Sequence, residues 1–159
     1  MMRTLSFARW GLSSDMESTK GRYTGLTTGA PEQCGCEPCR NFAAQRAEVY
    51  PAAALQLFES LGIEANREAE IYHMARLKSG KHLYGGWFHF VGSILDGQDA
   101  AVQVSENLWR PALEEISDGF SLGFTSKLAL VPKSFDGLQV VQLEFNAQLP
   151  WTLESKEPE

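Results

Sequence analysis

Long apolar runs, basic clusters and phosphate-binding glycine loops are missing from this sequence, and each absence closes a class of function. No apolar stretch approaches the ~20 residues that a membrane-spanning helix requires, so no membrane role is expected. Lys and Arg number 14 against 20 Asp and Glu, a formal net charge of −6, and no basic run exceeds a scattered pair. Nucleic-acid binding draws much of its affinity from neutralising phosphates, so such a partner is not expected either. Nothing fits G-x-G-x-x-G or a P-loop, and neither H-E-x-x-H nor H-x-x-E-H occurs, which leaves nucleotide-loop and metalloprotease sites without support. Gly11-Leu12-Ser13-Ser14 does not frame a serine as a nucleophile elbow would. The segment Met1 to Trp10 holds Arg3 and Arg9 but no continuous apolar core. It does not read as a secretory signal, and the expected compartment is the cytoplasm, where thiols stay reduced.

What is present is an ordinary globular balance. The chain has 159 residues, 43% hydrophobic and 21% charged, enough for one core without disulfide or metal staples. A single domain is expected over residues 1–150, followed by a flexible acidic tail over 151–159. Any metal would then serve a local purpose rather than hold the fold as a whole.

Periodicity divides the chain into a helical front and a strand-rich back. A strand is expected around Thr4 to Trp10. A Gly/Ser/Thr-rich stretch, Gly11 to Pro31, then either hides a strand near Arg22 to Thr28 or forms a functional loop. A helix begins near Glu37 or Pro38 and carries Phe42, Arg46, Tyr50, Ala54, Leu57 and Leu61 at helical spacing. Pro51 predicts a kink or two abutting helices there, and Gly62 a cap. A second helix is expected from Asn66 to Gly80. From Tyr84 the period becomes two, and a strand apolar on both faces follows, as a central strand would be. Weaker strand signals cover Ala100 to Val104 and Leu122 to Leu130; Pro111 could open a short helix between them. The last strand, Val141 to Leu149, alternates most cleanly, with Gln142, Glu144, Asn146 and Gln148 on one side. Helices early and strands late predict an α+β fold, a mostly antiparallel sheet with two or three helices packed on one face.

The one sharp chemical feature is Gln33-Cys34-Gly35-Cys36-Glu37-Pro38-Cys39-Arg40. Three cysteines cannot all pair within one chain. A C-x-C-x-x-C segment can converge three sulfurs on one soft metal such as zinc without long-range folding. Gly35 supplies the positive φ that such a wrap favours. With Pro38 in the first helical turn, Cys36 and Cys39 lie near a helix N-terminus that favours thiolates. A structural zinc site needs four ligands. His73 is the candidate fourth; His82, His89, a carboxylate, a water or a residue from another subunit are alternatives. Free cysteines also bury as small hydrophobes, although three within six positions exceed what packing asks for. Cys36-Glu37-Pro38-Cys39 resembles a thioredoxin-type C-x-x-C but lacks the preceding strand.

His73 falls in the expected second helix, His82 in an exposed loop, and His89 on an apolar strand face where a hydrogen-bonded core role is expected. Tyr84-Gly85-Gly86-Trp87 is either a tight entry into a core strand or a place where a ligand approaches. The polar ladder on the last strand reads as a solvated sheet face. Taken together, the residues favour a small binding module whose zinc-type site anchors a loop and which meets a protein or small-molecule partner. The rivals are a metal- or thiol-dependent enzyme using Cys34, Cys36 and Cys39, and an interaction protein with an acidic surface for a basic partner.

Overall fold

A computed structural model describes residues 1–159. The expected α+β architecture is observed, built on one seven-stranded antiparallel sheet. The strands are β1 (Arg3–Phe7), β2 (Trp10–Ser14), β3 (Glu70–Arg76), β4 (His82–Asp96), β5 (Ala101–Ser105), β6 (Leu108–Pro111), β7 (Glu114–Ser117), β8 (Phe120–Thr125) and β9 (Val140–Leu149). Five short helices accompany them: α1 (Met16–Thr24), α2 (Ala30–Cys34), α3 (Glu37–Ala44), α4 (Arg46–Val49) and α5 (Ala52–Leu61). The sheet runs β1-β2-β4-β9-β8-β7, with β3 also on β4, and β5 and β6 form a separate hairpin. No helix is long and apolar enough to cross a membrane.

Strand β4 organises the molecule. Its 15 residues pair along one edge with β9, from His82↔Leu149 to Val91↔Val140. The other edge is shared: β3 takes His82 to Trp87 and β2 takes Gly92 to Asp96. Between them the outward backbone groups of His89 and Val91 would have no strand partner, and unpaired buried amides are costly. Helix α1 answers them instead. The Tyr23 hydroxyl donates to His89 O (2.8 Å) and accepts from His89 N (3.1 Å). Thr19 Oγ1 accepts from Val91 N (2.9 Å), and Asp15 N donates to Val91 O (2.9 Å).

The core face of the sheet carries Tyr84, Phe88, Phe90, Phe120, Phe124 and Phe145, all buried. Phe42, Tyr50 and Phe58 reach it from the helices. Phe58 lies 4.9 Å from Phe88, and Tyr50 lies 5.3 Å from Phe145, between ring centroids. Burial of each large side chain contributes on the order of 2 kcal/mol, and edge-on ring contacts add to it.

Several sequence expectations need correction. The stretch 11–31 is not an open loop and hides no strand at 22–28; it holds the end of β2 and helices α1 and α2. The helix expected over 66–80 is strand β3 and its turn, so His73 stands on a strand. Tertiary pairing overrides helix propensity there: β3 fits its register against β4. His82 is buried in β4 rather than exposed in a loop. Pro111 ends β6 and opens no helix, and β8 stops at Thr125, leaving Leu128 and Leu130 exposed. The polar ladder is only partly solvated. Gln142 is buried, its Oε1 accepting from Ala129 N (2.8 Å) and from His89 Nε2 (3.0 Å), while Gln148 alone of the four is exposed. At Pro51 the second of the two expected alternatives is found, helices α4 and α5 abutting on either side of it.

Candidate metal centre

The cysteines sit where two short helices meet. Helix α2 opens with Gly29, whose N–H donates to Glu32 Oε1 (3.1 Å), and closes at Cys34. Gly35 turns the chain with φ +68, and no neighbouring atom would meet a side chain there. Cys36 is the N-cap of α3, with Pro38 in its first turn and Cys39 one residue further on. The ligand atoms of Cys34, Cys36 and Cys39 all lie within 4.8 Å of one another. Cys34 and Cys36 are exposed and Cys39 is buried. The three cysteines, close together, could bind a metal.

Their electrostatic surroundings differ. The Cys36 backbone N–H, followed by the Cys36 and Cys39 thiols, hydrogen-bonds Cys34 and holds its thiol below the ordinary value. Burial pushes Cys39 well above it, helped by the two neighbouring sulfurs. A thiol buried this way ionises when an opposite charge arrives, and a metal cation supplies one.

The platform beneath the cluster is fixed by polar contacts. The Tyr84 hydroxyl donates to Pro38 O (2.8 Å) and accepts from Asn41 Nδ2 (3.2 Å). Asn41 also donates to Pro150 O (3.1 Å) and accepts from Thr152 N (2.8 Å), so α3 is tied to β4 and to the chain after β9. A second tie holds α2. Arg46 makes paired hydrogen bonds to Glu32 (2.9 and 3.0 Å) and to Glu68 (3.0 and 2.8 Å). The Tyr50 hydroxyl donates to Glu68 Oε2 (2.8 Å). The Glu68 side chain has 0% exposure. Burial raises its carboxyl pKa even though the Arg46 bonds act the other way.

His73 does not join the convergent sulfurs. Its Nε2 lies 2.8 Å from His82 Nδ1, and His82 Nε2 lies 2.7 Å from Glu157 Oε1. With both rings neutral, His82 Nε2–H donates to the carboxylate and its Nδ1 accepts from His73 Nε2–H. Arg76 completes the chain at 3.2 Å from Glu157. Burial, and the neighbouring His82, lower the His73 pKa. His89 is a core residue as expected, with Nε2 bonded to Gln142 and Nδ1 without a partner. Gly85 and Gly86 serve internal packing: a side-chain carbon at Gly85 would stand 2.5 Å from the Tyr72 ring, and one at Gly86 would stand 2.6 Å from Glu70 O.

Two features escaped the sequence reading. A cleft of ≈ 670 Å³ lies beside the cluster, lined by Leu26, Gln33, Cys34, Arg67, Glu70 and Lys133 among others. Its walls come from segments far apart in sequence, and no local pattern announces it. The other is Gly119-Phe120-Ser121-Leu122-Gly123, which fits G-x-S-x-G. That motif needs a strand-to-helix turn; Ser121 lies inside β8, paired with Glu115 and Asn146, so no nucleophile elbow forms. No protein-family model, curated protein or solved structure matches the chain.

Proposed function

We propose that this chain is a small binding module in which Cys34, Cys36 and Cys39 hold one zinc-type ion and thereby staple α2 to α3. The observation that carries the reading is the convergence of three sulfurs within 4.8 Å. Tetrahedral zinc with sulfur at about 2.3 Å places its thiolates about 3.8 Å apart, so the cluster needs only a small contraction. Packing does not account for it, because two of the three cysteines are exposed. The metal anchors the α2–α3 junction, which stands in place of the loop first expected, and the partner meets the surface beside it. Elemental analysis of chain purified without affinity metals, with a native thiol count, tests this. About one zinc per chain with shielded thiols is the expected result. No metal and three freely reactive thiols would overturn it.

A second reading, a metal- or thiol-dependent enzyme, is supported by one observation: Cys34, the thiol with the lowered pKa, lines the cleft. Reactive thiols favour such settings. Reversible two-electron titration of a Cys36–Cys39 pair, or turnover at an open metal position, would favour it over the binding role.

A further inference from the structure

The cleft has two kinds of wall. Cys34 and Glu70 stand among its lining residues, and so do Arg67 and Lys133. Arg67 is half-buried and donates only to backbone, to Leu26 O (2.9 Å) and Asn66 O (3.2 Å). Lys133 is exposed and takes part in none of the chain's ion pairs. Two cations without a carboxylate partner, in a chain of net charge −6, are an unspent attraction for an anion. Of the acids in the same cleft, Glu68 is held by Arg46 and Tyr50, while Glu70, whose Oε1 accepts only from Ile71 N (2.9 Å), offsets one of the two cations and leaves the lining with one positive charge in excess. The volume is that of an ordinary small-molecule site.

We propose that this cleft takes a small thiol-bearing carboxylate. Its carboxylate lies against Arg67 and Lys133, and its sulfur completes the coordination of a metal held by Cys34, Cys36 and Cys39. The inference rests on the metal reading above. A divalent ion with three thiolates carries one net negative charge, and a fourth thiolate would make two. A soft ion that has already taken three sulfurs accepts a fourth, while the cations of the cleft pair with the ligand's carboxylate. The ligand's thiol proton passes to solvent on binding.

Cobalt(II) substitution of the full chain gives a direct readout, since each added thiolate strengthens the sulfur-to-cobalt charge-transfer band. Mercaptoacetate is the probe and 2-mercaptoethanol its uncharged counterpart. Mercaptoacetate is expected to intensify the band and to half-saturate at a roughly fivefold lower concentration, the upper end for an exposed ion pair. Lys133→Glu, on an exposed side chain, should abolish that advantage while leaving cobalt stoichiometry unchanged; Arg67→Gln should reduce it. Equal half-saturation by the two thiols, a spectrum that neither changes, or cobalt stripped from the chain would each overturn the inference while leaving the metal site standing. A folded wild-type chain that takes up no cobalt would overturn the metal reading, and this inference with it.

Discussion

Three thiols at a helix junction and two imidazoles on a hairpin are both sets of metal-type donors, and they occupy opposite chemical states. The imidazoles answer each other: His73 Nε2 pairs with His82 Nδ1, His82 Nε2 with Glu157, and Arg76 balances the carboxylate. The thiols bond only within their own short segment. Sulfur is a weak hydrogen-bond donor and acceptor, so mutual contact gives three converging cysteines little reason to stay together. Residue type alone therefore does not single out a candidate metal site; the convergence of exposed donors that packing does not explain is the better guide.

The sharpest way to break this contrast is to exchange ligands. Cys39→Ser should reduce bound zinc from about one per chain to trace level, whereas His73→Ala should leave it unchanged. Elemental analysis of both variants decides, and zinc lost from His73→Ala would make that histidine a ligand and erase the distinction. Next in size is the tie that holds the thiol platform. Glu68→Ala leaves the Tyr50 hydroxyl without its acceptor and Arg46 with Glu32 alone, so urea unfolding should show about 3 kcal/mol of lost stability. Glu68→Gln should cost less. A loss within error for Glu68→Ala would mean the buried pair is dispensable.

Smaller is the effect of the turn between Cys34 and Cys36. Gly35→Ala meets no atom, so only its left-handed backbone matters, and about 1–2 kcal/mol is expected. Faster amide exchange confined to residues 30–45 would accompany it; exchange spread evenly over the sheet would contradict a local junction. The smallest effect lies on the imidazole side. The folded His73 pKa is below the ordinary value of about 6.5, so the unfolded chain binds more protons in the window beneath that value. Stability is thus complete above pH ~6.5 and falls as acid is added. His73→Gln should flatten that fall without abolishing it, because burial depresses His89 in the same direction. An unchanged slope of Tm between pH 5 and 7 would show that His73 contributes nothing to the acid sensitivity.

Much of the cysteine site was legible because it is local. Pro38 in the first turn, Gly35 with positive φ and the C-x-C-x-x-C spacing are all settled within six residues, and each appears as the sequence implied. Central strand β4 and the alternating β9 were legible for the same reason. What was not legible depends on distant partners. Helix α1 buries only Thr19 and Tyr23, too thin a stripe to announce itself, although Asp15 does cap it with a bond from Ser18 N (3.0 Å). Strand β3 reads as helix until β4 is beside it. Glu68 looked like a first-turn acid, yet it meets Arg46, 22 positions earlier, and that contact fixes the platform on which the thiols stand.

The way α1 completes the edge of β4 has a consequence for how the protein behaves in a crowd. A stretch of strand with free amide and carbonyl groups is a template on which a foreign strand can grow. Two hydroxyls and one main-chain amide, from Tyr23, Thr19 and Asp15, occupy that template from the side. A helix cannot itself be extended by strand addition. The longest strand in the molecule is thereby kept from recruiting its neighbours, and the guard is a single short helix whose Tyr23 is also part of the buried core, packed against Phe135.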